Sequence, residues 1–417
     1  MDHMVTARQQ QAGARGPVDA VAIIPARGGS KSIPRKNVRP FAGPPLLAWS
    51  IAAARESASC HRILVSTDDE AIRDLAISLG AEAPFLRPAA LAQDDTPDFP
   101  VIQHALDWLA RECGEHPSLV VQLRPTSPVR PQGMVDAAID RLRASADADS
   151  LRAVTPAGQN PYKMWCLDGA LLAPLLGHEG PEPYNMPRQR LPATFWQTGH
   201  IDVIRRATIE RGTLTGTRIA PLLTDPRFAV DLDTPDQWEQ AEWVAHRYRA
   251  EIVSPRPGRE RLRRIGLVAL DFDGVLTDNR VLVRGDGEES VLCDRGDGLG
   301  LAALRDRGLP IVVLSTEEHP VVGARCRKLR LPFRQGLADK ASALRAVAAE
   351  YGVPLDDVLY VGNDVNDRDC LRLAGLAVVP RDAHPAVLAD AGWILSHAGG
   401  RGAVRELCDT LLEVHAP

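Results

Sequence analysis

Residues Val21 to Asn37 read VAIIPARGGSKSIPRKN. The apolar run Val21 to Ile24 has the pattern of a short buried strand and stops at Pro25. Behind it a loop carries Arg27, Gly28, Gly29, Ser30, Lys31, Arg35 and Lys36. Glycine lets a backbone pass close to a phosphate, and turned N–H groups form an anion-binding concavity. Lysine and arginine neutralise a polyphosphate. The chemistry implied is the cradling of a nucleoside triphosphate, in a spacing distinct from GxxxxGK[ST]. A strand–turn–helix with solvated cations fits the same spacing.

A second constellation stands far downstream. Val268 to Leu270 run into Asp271-Phe272-Asp273-Gly274-Val275-Leu276-Thr277-Asp278. Two carboxylates at i and i+2 just past an apolar strand suit Asp271 as a nucleophile and Asp273 as a general acid and base. The run Ile311–Leu314 ends at Ser315, which can bond a phosphoryl oxygen, and Lys340 supplies positive charge. A third strand closes on Val361-Gly362-Asn363-Asp364-Val365-Asn366-Asp367, where Asn363, Asp364 and Asp367 are candidate metal ligands.

A third pair is Asp231 and Asp233, following the apolar Phe228-Ala229-Val230. Alternate strand residues share a face, so both carboxylates are expected to point the same way. Mg²⁺ bound together with substrate phosphates relieves that repulsion. One of the two aspartates capping a helix that starts at Pro235 is the other reading. Further polar clusters are Ser66-Thr67-Asp68-Asp69-Glu70, for which helix capping alone is a credible role, Phe85-Leu86-Arg87-Pro88, and Arg124 to Arg130. Pro161-Tyr162-Lys163 and Pro187-Arg188-Gln189 add cations in proline-bound loops.

These residues need elements to hold them. At 417 residues the chain is expected to fold as about two domains. Short apolar strands at Arg62–Ser66, Leu119–Leu123, Ile311–Leu314 and Val358–Val361 alternate with helical patterns. This predicts two α/β domains with parallel sheets and sites at the strand C-terminal ends. Between them EIVSPRPGRERLRR (251–264) replaces apolar periodicity with proline, glycine and charge, and reads as a solvated linker, with a phosphate-binding arm as the other reading of its basic character. The division expected is a flexible tail over 1–18, one domain over 19–248, a linker over 249–264 and a second domain over 265–417.

Composition narrows the function. The chain is 45% hydrophobic, 25% charged and 5% aromatic, with a net charge of −5. That balance, without a cluster of base-stacking aromatics, argues against nucleic acid as a partner. No apolar run approaches the ~20 residues of a membrane span, and the polar start lacks the apolar core of a secretory signal. The seven cysteines form no CxxC pair or zinc spacing, so reduced thiols and a cytoplasmic location are expected.

IPARGGSKSIPRKN, VSTDDE, FLRP, RPTSPVR, NPYKMW, PRQRLP and VDLDT occur in an order that resembles the acylneuraminate cytidylyltransferases over roughly residues 19–247. The resemblance implies a nucleotidyltransferase of the nucleotide-diphospho-sugar transferase type, joining CTP and a nine-carbon 2-keto-3-deoxy sugar acid into a CMP-sugar and pyrophosphate. It gives Arg27, Ser30, Lys31 and Lys36 to the triphosphate, with Arg27 and Lys31 as catalytic cations. Asn37 orients the nucleotide and Arg87 contacts the cytidine end. Lys163, Arg188 and Gln189 line the sugar-acid side, and Asp231 and Asp233 bind Mg²⁺. Ser32 stands where the family usually has glycine, Arg124 at the sugar pocket where glutamine is frequent, and Thr198 where asparagine is frequent. The loop lacks the RLPGKP pattern of synthetases acting on the eight-carbon acid Kdo. An acylated neuraminate and its deaminated relative Kdn both remain open as substrates.

Residues 265–414 resemble the haloacid dehalogenase superfamily. DRGDGLG (294–300) and GGRGAVRE (399–406) point to its small capless branch, which includes the phosphatase acting on Kdo 8-phosphate. The resemblance implies an aspartyl-phosphate on Asp271, protonation of the leaving alcohol by Asp273, and phosphoryl contacts from Ser315 and Lys340. It places Mg²⁺ between Asp271, the Asp273 carbonyl and the loop of Asn363, Asp364 and Asp367. Asn363 stands where most members have aspartate. Taken together, the expectation is two Rossmann-like domains with Mg²⁺ in both, the second releasing phosphate from a sugar 9-phosphate to supply the first. A homo-oligomer, dimer or tetramer, is also expected. The other reading keeps the cytidylyltransferase and makes 265–417 a non-catalytic oligomerisation module.

Overall fold

The structure is a computed structural model that describes residues 19–176, 182–249, 251–388 and 390–415. The tail expected over 1–18 lies outside the described residues. The first half contains β1 (Ala20–Pro25), β2 (Cys60–Ser66), β3 (Leu119–Gln122), β4 (Ser150–Pro156), β5 (Trp165–Asp168), β6 (Leu171–Pro174), β7 (Phe195–Arg205) and β8 (Ile219–Leu223). Six of them form one sheet in the order β2-β1-β3-β7-β4-β8, while β5 and β6 pair as a separate antiparallel hairpin.

β1 lies between two parallel neighbours, and Val21, Ala22, Ile23 and Ile24 are fully buried. Ala22 and Ile24 face the cluster that holds Leu47, Ile51, Val135 and Ile139. Val21 and Ile23 face Ile102, Ala105 and Leu106 of the helix Asp98–Trp108. A strand covered on both faces reads as an unbroken apolar run. Burying each such side chain contributes about 1.5–3 kcal/mol before the entropy of ordering it.

The expectation of a wholly parallel first sheet needs one correction, because β7 runs antiparallel to both β3 and β4. Its apolar run is interrupted by two buried polar residues that find partners across the sheet. His200 Nε2 lies 2.9 Å from the carbonyl oxygens of Val129 and Phe228. Asp202 pairs with Arg124 and Arg152.

The second half contains β9 (Leu267–Leu270), β10 (Thr277–Val283), β11 (Glu289–Cys293), β12 (Ile311–Leu314), β13 (Phe333–Arg334), β14 (Val358–Val361), β15 (Leu376–Val379) and β16 (Trp393–Ile394). Its sheet is parallel throughout, in the order β13-β12-β9-β14-β15-β16. The strand order reverses between β9 and β14, and such a switch point opens a crevice at the strand C-termini. β10 and β11 form an antiparallel hairpin whose Val281, Leu282, Val283 and Leu292 are exposed.

The segment between the sheets is anchored at both ends, unlike a solvated linker. Val253 N donates to Arg130 O at 2.8 Å, and Gln132 N donates to Glu251 O at 3.1 Å. Downstream, the helix Arg259–Arg263 buries Leu262 in the second core. Among the described residues all seven cysteines are free, and no helix is long and apolar enough to cross a membrane.

Candidate functional site

The ends of β1, β2 and β3 open on a cleft of about 460 Å³ lined by Arg27, Ser30, Lys31, Lys36, Asn37, Arg87, Asp94, Arg124, Thr126 and Asp233. The loop after β1 is held from two sides. Asn37 Nδ2 donates to Arg27 O, and Gly28 N donates to Asp68 Oδ1, each at 2.9 Å. A Cβ on Gly28 would come within 2.8 Å of the Asp69 Cβ, so the close approach needs glycine. Asp69 in turn caps the helix Glu70–Ser78 by accepting from Ile72 N. The VSTDDE segment therefore both caps a helix, through Asp69, and pins the loop, through Asp68.

The cations differ in how they are held. Arg27 Nη1 lies 2.9 Å from Asp94 Oδ1, and Lys31 pairs with the other oxygen of the same carboxylate. Sequence reasoning missed Asp94, which lies in the polar loop LAQDD just after FLRP. Lys36 Nζ donates to Leu232 O at 2.6 Å and stands 3.9 Å from Asp233 Oδ1. Burial draws the Lys36 ammonium below its ordinary pKa, against the pull of Asp233 and Asp231. Arg87 is buried, its Nε and Nη2 make no hydrogen bond, and its nearest carboxylate, Asp68, is 4.0 Å away. Such a guanidinium retains donors for an anionic or polar ligand. Arg124 is committed elsewhere, to Asp98 and Asp202 at 2.8 Å each. Although burial opposes its charge, those carboxylates hold its pKa above the usual value. Arg130 turns into the core, bonding the carbonyls of His200 and Arg124.

Asp231 and Asp233 lie in a loop rather than a strand. Leu232 N bonds Thr126 O and the Leu232 side chain is buried, while Asp231 on one side of it is half-buried and Asp233 on the other is exposed. Neither caps the following helix. Thr234 does so, in a reciprocal capping box with Gln237. Burial and the neighbouring Asp233 raise the Asp231 pKa. Asp233 lines both the cleft after β1 and a second cavity of about 300 Å³ shared with Asp231 and Trp196. Lys163, Arg188 and Gln189 do not line the cleft. They sit in short 3₁₀ turns, that of Lys163 just ahead of the β5–β6 hairpin, and Arg188 Nη2 donates to Ala157 O at 2.7 Å.

The second site lies at the switch point of the parallel sheet. Asp271 follows β9, its N–H donating to Val361 O at 2.8 Å, so it stands beside the loop after β14. Lys340 Nζ lies 2.8 Å from Asp271 Oδ1 and 2.8 Å from Asp367 Oδ1. All three side chains are almost fully buried. Burial and the nearby Asp367 raise the Asp271 pKa, with Lys340 opposing them. Burial works against the Lys340 charge, but Asp271 and Asp367 hold its pKa above the ordinary value. Asp367 has both oxygens engaged: Tyr360 OH donates to Oδ1 at 2.6 Å, and Asn363 N to Oδ2 at 2.8 Å. Sequence reasoning missed Tyr360, since a tyrosine inside VLYV reads as core.

Asp273 stands nearer solvent and accepts from Thr277 Oγ1 at 3.3 Å. Burial first, and then Glu317, raise its pKa. Glu317, also unanticipated, donates its N–H to Ser315 Oγ at 3.1 Å, which places Ser315 at the same mouth. Gly274 has φ +74°, and the Asn363 amide fills the space that a Cβ would take. Gly399 packs against Gly274 O with no room for a side chain, and Gly400 N donates to Val275 O at 2.9 Å. The GGRG segment thus closes the back of the loop that follows Asp271. Among the described residues no three His, Cys, Asp or Glu side chains converge as a ready metal cluster.

Comparisons with known proteins follow this division. Residues 21–163 match the Cytidylyltransferase family, and residues 334–407 match the haloacid dehalogenase-like hydrolases. The N-acylneuraminate cytidylyltransferase of Oncorhynchus mykiss is 30% identical over 396 residues, covering 94% of this chain and 88% of that protein. N-acylneuraminate cytidylyltransferase A of Danio rerio is 29% identical over 406 residues, with the same coverage of 94% and 88%. The 3-deoxy-D-manno-octulosonate 8-phosphate phosphatase of Escherichia coli (strain K12) is 34% identical over 149 residues, covering 36% of this chain and 79% of that protein. A triphosphate-type cation loop in one sheet, an Asp–Lys–Asp site in the other and relatives spanning both lead to one assignment: the chain belongs to the N-acylneuraminate cytidylyltransferase family and carries a haloacid dehalogenase-type phosphatase domain in its C-terminal part.

Proposed function

We propose that the chain performs two consecutive steps in activating a nine-carbon sugar acid, with residues 265–417 forming the phosphatase domain and 19–248 the transferase domain. The phosphatase releases phosphate from a nonulosonate 9-phosphate, and the transferase joins the free acid to CMP. The observation that carries this reading is the intact, buried Asp271–Lys340–Asp367 arrangement in one sheet together with a separate cation-lined cleft in the other.

In the second domain the Asp271 carboxylate attacks phosphorus, the bond from phosphorus to the C9 oxygen breaks, and Asp273 protonates that oxygen. Its raised pKa suits a general acid. Water, losing its proton to Asp273, then cleaves the aspartyl-phosphate. Lys340 and Ser315 hold the phosphoryl oxygens, while Asp367, saturated by its own hydrogen bonds, positions Lys340 and the Asn363 loop. Asp271 carries its charge beside Lys340, Asp273 faces the charge of Glu317, and the Asn363 and Asp364 side chains add oxygen donors from the loop after β14, a donor set that fits Mg²⁺. Asp271, the Asp273 carbonyl, Asn363 and Asp364 would hold it, and it supplies charge neutralisation at the phosphoryl group.

In the first domain the anomeric hydroxyl oxygen attacks the α-phosphorus of CTP. The bond to the β-phosphate oxygen breaks, pyrophosphate departs, and the hydroxyl proton passes to solvent. Arg27, Ser30, Lys31 and Lys36 neutralise the developing charge, Asn37 holds the loop, and Arg87 meets the cytidine end. Asp231 and Asp233, facing each other's charge beside Lys36, fit Mg²⁺, which supplies further neutralisation. Arg27 and Lys31 exchange Asp94 for the triphosphate.

Lys163, Arg188 and Gln189 serve the sugar acid in an assembled homo-oligomer. The β5–β6 hairpin after Lys163 exposes Leu167, Leu171 and Leu172, an apolar surface that calls for a second copy. The β10–β11 hairpin exposes another, so assembly and catalysis in the second domain are compatible. A cytoplasmic location follows from CTP as substrate and from the free thiols. The test is incubation of the full chain with Mg²⁺, CTP and a nonulosonate or its 9-phosphate, for N-acylated acids and Kdn in turn. Formation of CMP-sugar, with phosphate release that vanishes in Asp271→Asn, supports the reading. No phosphate release from any sugar phosphate, with oligomers lost on removal of 265–417, supports an assembly module instead.

A further inference from the structure

The basic segment between the two domains encloses a space that neither reaction uses. A cavity of about 340 Å³ lies against Ile51 and Arg55 of the helix Leu46–Glu56, Gln132, the joining residues Val253, Ser254 and Arg256, and Ser396 of the second domain. That volume falls in the range of small-ligand sites. Arg55 donates Nη1 to Leu79 O at 3.1 Å, and among the described residues neither it nor Arg256 forms an ion pair. Arg259 and Arg256 lie close enough to Arg55 to add to the effect of burial in lowering its pKa. The carboxylate in the wall, Glu56, already accepts from Gly133 N at 3.0 Å.

A second observation comes from behind the wall. Arg249 is 4% exposed, and its Nη2 donates to Oγ of the wall residue Ser254 at 3.1 Å. Its Nε and Nη1 make no hydrogen bond. Glu406 is the carboxylate nearest in influence; its Oε2 is taken by Ser396 N and His397 Nδ1, each at 2.8 Å, and its buried Oε1 makes no hydrogen bond to Arg249 or to any other described residue. A buried guanidinium with unmet donors and no ion pair is costly unless an anion completes it.

We propose that this interdomain cavity is a binding site for a small phosphate oxyanion, either inorganic phosphate or pyrophosphate. Guanidinium forks match such oxygens two at a time. The two candidates are the by-products of the reactions proposed above, and the choice between them rests on that reading. An anion held here touches Arg55 and Gln132 of the first domain, Arg256 of the joining segment and Ser396 of the second. It therefore ties the two halves together and couples their states.

The test is isothermal titration calorimetry on the full chain carrying Lys31→Ala and Lys340→Ala, with EDTA present. These substitutions weaken anion binding at the two reaction sites. Sodium pyrophosphate and sodium phosphate are titrated separately. Binding of at least one is expected, the tighter naming the ligand, with affinity lowered about tenfold or more by Arg256→Ala and by Arg55→Gln. The exposed Arg256 holds no contact the fold needs, so its variant stays folded even if Arg55→Gln does not. Heat from neither anion, or affinity unchanged in Arg256→Ala, overturns the proposal. The readout is binding, so failure of either catalytic assignment leaves the outcome legible.

Discussion

The ammonium nitrogen of Lys340 lies 2.8 Å from Oδ1 of Asp271, both side chains being almost fully buried. A buried lysine shared by two aspartates is a fixed charge that needs no reorganisation when a phosphoryl group arrives. Asp271→Asn keeps the shape and removes the proposed nucleophile. Phosphate release from a nonulosonate 9-phosphate is expected to fall on the order of 10⁴-fold, with CMP-sugar formation from the free acid unchanged. A phosphate assay and a pyrophosphate assay on one preparation check both halves of this expectation.

Asn363 presses on Gly274 at the mouth of the same site. A carboxylate there adds charge to an oxygen-donor set and tightens Mg²⁺. Asn363→Asp is therefore expected to lower the Mg²⁺ concentration for half-maximal phosphate release, by about tenfold. Titrating Mg²⁺ against rate measures it, and an unchanged midpoint would remove Asn363 from the ligand set.

Lys36 joins the loop after β1 to the segment of Asp231 and Asp233 through its 2.6 Å bond to Leu232 O. Lys36→Met keeps the length and loses both that bond and the charge. The expected result is a fall in kcat/KM for CTP of about 10²–10³-fold, with phosphate release unaffected. Steady-state kinetics with CTP varied decide it; a change below threefold would show that Lys36 is not a phosphate contact.

Much of this was legible from the chain alone where one physical constraint acts at a time. β1, β9 and β14 are covered on both faces, so their runs are uniformly apolar and the chemistry begins where each run stops, at Arg27, Asp271 and Asn363. β7 was not legible, because His200 and Asp202 are buried yet satisfied by partners distant in sequence. Asp94 escaped notice because a carboxylate in a polar loop has no local mark of the two cations it will meet. The resemblance gives Lys163, Arg188 and Gln189 to the sugar-acid side, whereas within one chain they lie off the cleft in short 3₁₀ turns, Lys163 just ahead of an exposed apolar hairpin. A single sequence carries no direct signal of what covers such a surface.

Asp297 offers a test by pH. Its side chain is buried between the helices Arg295–Asp306 and Ala403–Val414, Oδ1 accepting from Arg405 N at 2.8 Å while Oδ2 makes no hydrogen bond. Burial pushes its pKa up to about 6. An acid whose pKa is raised on folding favours the native state when protonated. That contribution is full below the unfolded value near 3.8 and is lost as pH rises through about 6. Asp297→Asn stays neutral throughout. Relative to wild type, the variant should gain about 3 kcal/mol between pH 4 and pH 8. Urea unfolding of both chains across that range reads the difference, and a flat difference would refute the shift.

The contact of Gly399 with Gly274 joins the nucleophile loop to a segment near the far end of the chain. It sets an order of events during synthesis. A nascent chain completes its nucleotide cleft while the loop of Asp271 still lacks its backing, so the transfer half can mature before the hydrolytic half. Proteolytic clipping ahead of Gly399 would accordingly silence phosphate release and leave CMP transfer running, an asymmetry built into where the glycines fall along the chain.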